Sequence, residues 1–138
     1  MRRKVLFLCT HNSCRSQMAE GLVNHFLADG WEAYSAGTEP SSIHPLAIQV
    51  MSEIGIDISG HLSKSVDKLP PVDFDLVITL CSDAERECPF YLGKAQRTHI
   101  GFDDPAAMAG TDEDIFNAFR RVRDEIKESI LTFLNNHN

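Results

Sequence analysis

The sequence predicts an α/β fold, a four-stranded parallel sheet flanked by helices on both faces. Residues 5–8 form an unbroken apolar run, and residues 76–80 are apolar except for Thr79, as expected of strands that are buried on both sides. Helical patterns alternate with the predicted strands along the chain. Such alternation is typical of a parallel sheet in a three-layer, Rossmann-like arrangement.

The first half of the chain contains two predicted strands and two predicted helices. After the strand at residues 5–8, apolar residues one turn apart predict a helix that begins near Arg15. Residues 31–36 form the second predicted strand. A second helix is expected from Pro45, which suits a first helical turn, to about Ile54.

The second half adds two strands and a long helix. Residues 59–73 are polar and predict mostly loop, and they lead to the third strand at residues 76–80. A short fourth strand is expected at residues 97–100. Apolar residues at helical spacing mark the last helix: Ile115, Phe119, Val122, Ile126, Ile130 and Phe133.

Composition and charge limit the possible functions. A length of 138 residues predicts one domain over 1–138, and 43% apolar with 24% charged residues is ordinary for a globular protein. No apolar run approaches the roughly 20 residues of a membrane span, and the apolar start is too short for a signal peptide. We therefore expect a cytoplasmic protein. The net charge of -7 argues against nucleic-acid binding.

Residues 9–16, between the first strand and the first helix, form a candidate anion-binding loop. They read Cys-Thr-His-Asn-Ser-Cys-Arg-Ser. Main-chain N–H groups and a helix N-terminus can bind an anion there, and the planar guanidinium of Arg15 can grip two oxygens of a tetrahedral oxyanion. The same positive surroundings predict a lowered pKa and a nucleophilic thiolate for Cys9. Ser16 could donate a hydrogen bond to that thiolate, and Asn12 could hold the loop shape.

The loop itself supplies the predicted substrate-binding residues. A competing interpretation makes Cys9 an inert core cysteine and Arg15 a solvated residue. Cys14 is expected to pack as a small inert side chain, and no metal-ligand spacing is present among the histidines and cysteines. The predicted substrate-binding residues are Thr10, His11, Asn12, Ser13, Cys14 and Arg15.

The segment VLFLCTHNSCRSQMAEG resembles the active-site region of two related groups of enzymes. They are the low-molecular-weight protein tyrosine phosphatases and the arsenate reductases that share their fold. The resemblance continues through SAGTEP at 35–40, ISGHLSK at 58–64, the cysteine pair at 81–88 and GFDDPA at 101–106. It implies the same four-stranded parallel sheet and a cysteine nucleophile that attacks an oxyanion.

Two further cysteines favour the reductases over the phosphatases. Cys81 and Cys88 match, in position and spacing, the two extra thiols of thioredoxin-coupled arsenate reductases. The resemblance implies that Cys9 attacks arsenate, that Cys81 then attacks Cys9 and releases arsenite, and that Cys88 takes over the disulfide for thioredoxin to reduce. An intact helix would separate the last two cysteines by about 10 Å along its axis, so their disulfide requires this segment to unwind.

The resemblance also implies a general acid. Asp104 precedes Pro105, as the acid of the family does, and would protonate the departing oxygen. Asp103 is the competing candidate. Ala106 and Ala107 stand where tyrosine phosphatases usually carry aromatic residues, which favours a compact inorganic oxyanion as substrate.

One departure concerns a potassium ion that several of these reductases bind beside the loop. The matching side chains here are Asn12, Glu20 and Ser35, but the position of a further family aspartate aligns with Lys64. We expect the ammonium group of Lys64 to take the place of the ion and pair with Glu20. The alternative is an exposed Lys64 that contacts no other side chain. No metal or cofactor is predicted.

The leading prediction is a monomeric arsenate reductase with arsenate as substrate, thioredoxin as reductant, and no nucleic-acid or membrane partner. Its expected role is the detoxification of arsenic. A glutaredoxin-type protein is the alternative to thioredoxin as the reductant. One alternative is a low-molecular-weight tyrosine phosphatase, which needs only Cys9, Arg15 and Asp104. The other is a non-catalytic oxyanion-binding or redox-sensing module, which would not need a general acid.

Overall fold

The computed structural model describes residues 2–70, 72–81 and 95–137. Within them the chain forms four strands: β1 (Arg3–Cys9), β2 (Trp31–Gly37), β3 (Leu76–Thr79) and β4 (Gln96–His99). All neighbouring pairs are parallel, and the order across the sheet is β2-β1-β3-β4. The predicted four-stranded parallel sheet is confirmed, with β4 one residue earlier than expected.

The described residues also form three α-helices: α1 (Arg15–Phe26), α2 (Pro45–Ser52) and α3 (Asp112–Asn135). Two 3₁₀ turns cover Val66–Lys68 and Pro105–Ala107. Helix α2 ends two residues earlier than predicted, because Gly55 adopts a left-handed φ of 81° and the N–H of Ile56 closes the helix on the carbonyl of Met51 at 3.0 Å.

Alternation along β1 divides the interior into two clusters. Val5 and Phe7 face one side, where α1, α2 and α3 contribute the remaining buried apolar side chains. Leu6 and Leu8 face the other side with Val77, and partly buried residues of 66–74 pack there. Within the described residues, the helical cover of this second side is the 3₁₀ turn Val66–Lys68. Residues 82–94, which follow β3, lie outside the described residues.

The carboxyl ends of β1, β3 and β4 meet at one edge of the sheet, where ligands bind in folds of this class. The chain continues from these ends into residues 10–14, into Leu80 and Cys81, and into residues 100–104. The fold therefore brings all the predicted catalytic segments that the structure describes to one edge. Among the described helices, none is long and apolar enough to cross a membrane.

Candidate active site

The loop after β1 is shaped by Asn12, which is fully buried. Its φ of 51° lies in the left-handed region, which asparagine adopts more readily than most residues. Its Nδ2 donates to Ser16 Oγ at 2.7 Å, and its Oδ1 accepts from the main-chain N–H of Lys64 at 3.0 Å. Because Ser16 Oγ accepts this bond, its own hydroxyl proton can point elsewhere, and the sequence predicts Cys9 as the acceptor.

The main chain of the loop offers donors to an anion. In the described part of the chain, no N–H of residues 11–14 donates to a main-chain carbonyl. Helix α1 begins at Arg15, and the N–H groups of a first helical turn have no partner within the helix. Together these groups form the N–H-rich start of a helix, which favours a negatively charged ligand.

The side chains of His11 and Ser13 are engaged away from the loop centre. The ring Nδ1 of the exposed His11 lies 2.9 Å from the carbonyl of Glu39, and Ser13 Oγ lies 3.9 Å from Cys14 Sγ. These residues, predicted to bind substrate, are therefore placed to offer their main-chain N–H groups rather than their side chains.

Arg15 is buried at the mouth of the loop, with 8% of its surface exposed. Its Nη1 donates to the carbonyl of Phe102 at 3.1 Å, and its Nη2 lies 3.7 Å from Asp104 Oδ2. Its Nε is buried and has no hydrogen-bond partner in the part of the chain that the structure describes. A buried, unsatisfied N–H is costly, and a tetrahedral oxyanion in the loop would satisfy it.

Cys9, the last residue of β1, differs from the prediction in its protonation. A hydrogen bond with the Cys81 thiol and burial raise the pKa of Cys9, and the positive charge of Arg15 lowers it only in part. The predicted thiolate rested on Arg15 and the helix N-terminus alone, whereas burial and the neighbouring Cys81 thiol act on the pKa in the opposite direction. The surroundings of Cys9 therefore favour its protonated form more than the sequence predicts.

Cys81 lies against Cys9, as the resemblance implied for the second cysteine. Besides the bond between the two thiols, Cys81 Sγ lies 3.2 Å from Thr10 Oγ1. A hydroxyl at that distance can donate to a thiolate on Cys81 and stabilise it. Cys88 lies outside the described residues, so its pairing with Cys81 and the unwinding that this requires stay predictions.

The two candidate acids face different groups. Asp104 Oδ1 accepts from the N–H of Ala106 at 3.0 Å and from Cys14 Sγ at 3.8 Å, and its other oxygen faces Arg15. Asp103 is exposed, and its carboxylate lies 3.4 Å from Arg121 on α3. Asp104 is therefore the carboxylate that reaches the loop. Burial and the Asp104 carboxylate raise the pKa of Cys14, which keeps that cysteine an inert thiol.

A cavity of about 400 Å³ opens beside the loop. Its walls include Arg15, Cys81 and Asp104, so three predicted catalytic residues from separate parts of the chain share one space. His99, at the end of β4, also lines it, and its Nδ1 lies 2.9 Å from Thr79 Oγ1. No sequence pattern singles out His99, because a lone histidine at a strand end resembles many surface histidines.

A second polar cluster lies behind the loop, around Glu20 of α1. Ser35 Oγ donates to Glu20 Oε1 at 2.8 Å, and Lys64 Nζ lies 3.8 Å from the same oxygen. The expected pairing of Lys64 with Glu20 is therefore present. The ring Nδ1 of His61, which the sequence reasoning missed, lies 3.3 Å from Glu20 Oε2.

These residues do not fit a potassium ion. The ammonium group of Lys64 already supplies a positive charge beside Glu20, and two cations cannot share that space without strong repulsion. Among the described residues, no cluster of histidine, cysteine or carboxylate side chains has the grouping of a metal site.

A cysteine at the end of a central strand, followed by an N–H-rich loop and a buried arginine, defines an enzyme that acts on a tetrahedral oxyanion through a thiol. The profile of one such family, described as low molecular weight phosphotyrosine protein phosphatase, matches residues 4–137. The chain therefore belongs to the low molecular weight phosphotyrosine protein phosphatase family.

Similar proteins within this fold are named as reductases. An arsenate reductase of Halalkalibacterium halodurans is 52% identical over 134 residues, which cover 96% of this chain and 96% of the relative. One of Bacillus subtilis is 48% identical over 134 residues, with 96% of each chain covered. A solved structure described as an arsenate reductase in the phosphate binding state superposes with a TM-score of 0.83 at 35% identity and covers 99% of both chains.

Proposed function

We propose that this protein is an arsenate reductase, which converts arsenate to arsenite at Cys9. The observation that carries the proposal is a second thiol at the mouth of the anion loop: Cys81 Sγ lies 3.2 Å from Oγ1 of Thr10, the residue next to Cys9, and Cys81 lines the same cavity as Arg15. Ester hydrolysis at a cysteine does not use a second thiol, whereas reduction of an oxyanion needs two electrons that a pair of thiols can supply. The named relatives at about half identity support the same activity.

In the first step, arsenate lies in the loop with its oxygens on the N–H groups and on Arg15. The proton of Cys9, whose pKa is raised by burial and the Cys81 thiol, passes to an arsenate oxygen. The sulfur attacks arsenic, an S–As bond forms and an As–O bond breaks. Asp104 donates the second proton, so that this oxygen leaves as water.

In the second step, Cys81 passes its proton to the Asp104 carboxylate left by the first step, and the resulting thiolate attacks the sulfur of Cys9. An S–S bond forms, the S–As bond breaks, and its electron pair stays on arsenic, which leaves as arsenite. Two thiols are thereby oxidised and one arsenic(V) is reduced to arsenic(III). Cys88 then attacks Cys81 and releases Cys9 as a thiolate, and a dithiol protein of the thioredoxin type reduces the Cys81–Cys88 disulfide.

This relay belongs in a reducing compartment. Within the described residues no disulfide joins Cys9, Cys14 or Cys81, and thiols that must return to the reduced state after each turnover suit the cytoplasm. We therefore include a cytoplasmic location in the proposal. We also include a monomeric enzyme, since Arg15, Cys81 and Asp104 of one chain already line the same cavity.

A second, weaker activity follows from the same geometry. Hydrolysis of an aryl phosphate needs a cysteine, an anion loop and a proton donor. Arg15 Nη2 lies 3.7 Å from Asp104, and the charge of Arg15 acts on Cys9. Neither Cys81 nor Cys88 takes part in that reaction. The two activities can therefore be separated by substitution.

The test is an arsenate-dependent NADPH oxidation assay with thioredoxin and its reductase, run beside aryl-phosphate hydrolysis. Cys9→Ser should abolish both activities, because both need the nucleophile. Cys81→Ser and Cys88→Ser should stop thioredoxin-coupled turnover and leave hydrolysis largely intact.

Cys14→Ser is the matched control, because Cys14 is a cysteine of the same loop with no place in the relay, and both activities should survive. A wild-type protein that hydrolyses the ester but oxidises no NADPH with arsenate would contradict the proposal. Full coupled turnover by Cys88→Ser would contradict the three-thiol relay alone.

A further inference from the structure

Gln17 is a buried polar residue with no place in the relay. It lies in the first turn of α1, and its side chain is fully buried. Burial of an amide is unfavourable unless its donors and acceptor find partners. The partners of Gln17 therefore show what this residue holds together.

The amide nitrogen of Gln17 faces three acceptor oxygens. Nε2 lies 3.2 Å from the carbonyl of Asn12, 2.9 Å from Asn12 Oδ1 and 3.0 Å from the carbonyl of Leu62. Two N–H protons therefore serve three oxygens, so one bond is shared. Two of these acceptors belong to the one left-handed residue of the anion loop.

Two main-chain carbonyls fix which way round the amide lies. The carbonyls of Asn12 and Leu62 can only accept hydrogen bonds, so the amide nitrogen faces them. The amide oxygen then faces His61, whose Nδ1 lies 3.0 Å from Gln17 Oε1. The orientation thus follows from the partners of the amide nitrogen.

Asn12 needs such support because its conformation is strained. A left-handed φ at a residue other than glycine persists only where the surroundings enforce it. That turn keeps the N–H groups of residues 11–14 away from main-chain carbonyls and available to an anion. A clamp on Asn12 is therefore a clamp on the shape of the anion site.

We propose that Gln17 is a positioning residue for oxyanion binding: its buried amide holds Asn12 in the left-handed turn and ties the loop to residues 61–64. The inference rests on the proposed function only for the identity of the reacting oxyanion, arsenate. Without the hydrogen bonds from Gln17, the N–H donors of the loop are no longer held in place for the anion, so the affinity for the anion falls.

The test measures binding of inorganic phosphate by isothermal titration calorimetry to the wild type, Gln17→Leu and Gln17→Glu. Leucine removes every polar contact, whereas glutamate keeps the shape but turns acceptor oxygen toward acceptor oxygens. We expect Kd for phosphate at pH 8 to rise about 10- to 100-fold in both variants. In the coupled assay, KM for arsenate should rise by the same factor, and kcat should change far less.

Asn24→Leu is the matched control. Asn24 also lies on α1, and its amide bonds both main-chain groups of Ala33, away from the loop. Its loss should lower the melting temperature and leave Kd for phosphate unchanged. A residue that only stabilises the fold would behave in this way.

Gln17→Glu supplies a second readout, and it decides alone if Gln17→Leu does not fold. When protonated, its carboxyl regains one donor, so its Kd relative to wild type should move back toward one between pH 8 and pH 5. Glu20, His61 and Lys64 are the charged groups around the amide, and the wild type at each pH corrects for them.

The proposed role of Gln17 is overturned if the folded variants bind phosphate at pH 8 with the same Kd as the wild type. It is also overturned if the ratio of the Kd of Gln17→Glu to that of the wild type does not change between pH 8 and pH 5. Weakened phosphate binding by the variants supports it even if the wild type reduces no arsenate, in which case only the proposed function fails.

Discussion

Two cavities of nearly equal size lie at opposite ends of the sheet, about 400 Å³ at the carboxyl end and about 410 Å³ at the amino end. Each has an arginine in its wall. At the amino end, Arg3 Cζ lies 4.2 Å from the centre of the Trp31 ring, and Nη2 donates a hydrogen bond to the carbonyl of His137. The guanidinium of Arg3 is therefore already engaged by groups of the protein itself. At the carboxyl end, Arg15 keeps one buried N–H without a partner.

The two ends of the sheet differ in their buried polar groups without hydrogen-bond partners, and not in the volume of their cavities. In the part of the chain that the structure describes, two buried side-chain atoms have no hydrogen-bond partner, Arg15 Nε and Thr38 Oγ1. Both follow the carboxyl end of a strand, Arg15 after β1 and Thr38 after β2. An edge that retains such costly groups is arranged for a ligand rather than for stability.

The largest expected effect comes from exchanging the arginine at each end. Arg15→Lys loses the planar fork that grips two oxygens, so kcat/KM for arsenate should fall about 10²- to 10³-fold. Arg3→Lys should change activity by no more than about twofold. The coupled assay measures both variants, and equal losses would mean that the distinction between the two cavities is wrong.

Two glycines at the ends of β2, Gly37 as its last residue and Gly30 just before it, sharpen the same comparison. A Cβ on Gly37 would lie 2.6 Å from the carbonyl of Thr10 and 3.0 Å from Asn12 Cβ, so the anion loop would have to move. Gly37→Ala should therefore lower the free energy of unfolding by about 1–3 kcal/mol and reduce phosphate affinity. A Cβ on Gly30, at the amino end, meets nothing within 4 Å, and Gly30→Ala should cost no more than about 0.5 kcal/mol.

Urea denaturation and phosphate titration measure both glycine variants. If Gly37→Ala bound phosphate like the wild type, the loop would tolerate the displacement, and the close approach of β2 would have no role in shaping the site.

The raised pKa of Cys9 predicts a pH-dependent reactivity. A group with a raised pKa carries little thiolate at neutral pH, so alkylation of Cys9 should accelerate steadily as the pH rises. Cys81→Ala removes the hydrogen bond that raises this pKa most, so the pH midpoint for alkylation of Cys9 should move downward. Cys81→Ser keeps a hydroxyl in place and should shift it less.

Peptide mapping after brief treatment with iodoacetamide separates Cys9 from the other cysteines. If the pH midpoint for alkylation of Cys9 is unchanged in Cys81→Ala, burial alone raises the pKa of Cys9. The contact between the two thiols would then have no effect on that pKa.

Much of the fold could be predicted from the sequence, because an unbroken apolar run such as residues 5–8 of β1 is typical of a buried strand. The family motifs likewise indicated Cys9, Arg15 and Asp104. Gln17 was missed because a polar residue in a first helical turn usually faces water, and only the tertiary structure shows its burial. The lowered pKa predicted for Cys9 differs from the structure for another reason: burial and the Cys81 thiol outweigh the positive charge of Arg15.

The smallest expected effect concerns Lys64, at the back of the anion loop. Its Nζ lies 3.8 Å from Glu20 Oε1 and donates to the carbonyl of Leu62 at 3.2 Å, so a cation built into the chain balances Glu20. The melting temperature and KM of the wild type should therefore be the same in potassium and in tetramethylammonium at equal ionic strength. Potassium-specific stabilisation of the wild type would show that Lys64 does not replace an ion.

Lys64→Asp should create the dependence that the wild type lacks. The change places a second carboxylate beside Glu20, near the oxygens of Asn12 and Ser35, and only a cation can relieve their repulsion. If potassium at tenfold its dissociation constant stabilises the variant by about 1.4 kcal/mol, the melting temperature should rise by a few degrees in potassium alone. Lys64→Met keeps the apolar stem without the carboxylate, so it should lose stability equally in both salts. Equal melting temperatures of Lys64→Asp in the two salts would mean that these oxygens do not converge on one point, and that Lys64 pairs with Glu20 without standing in for an ion.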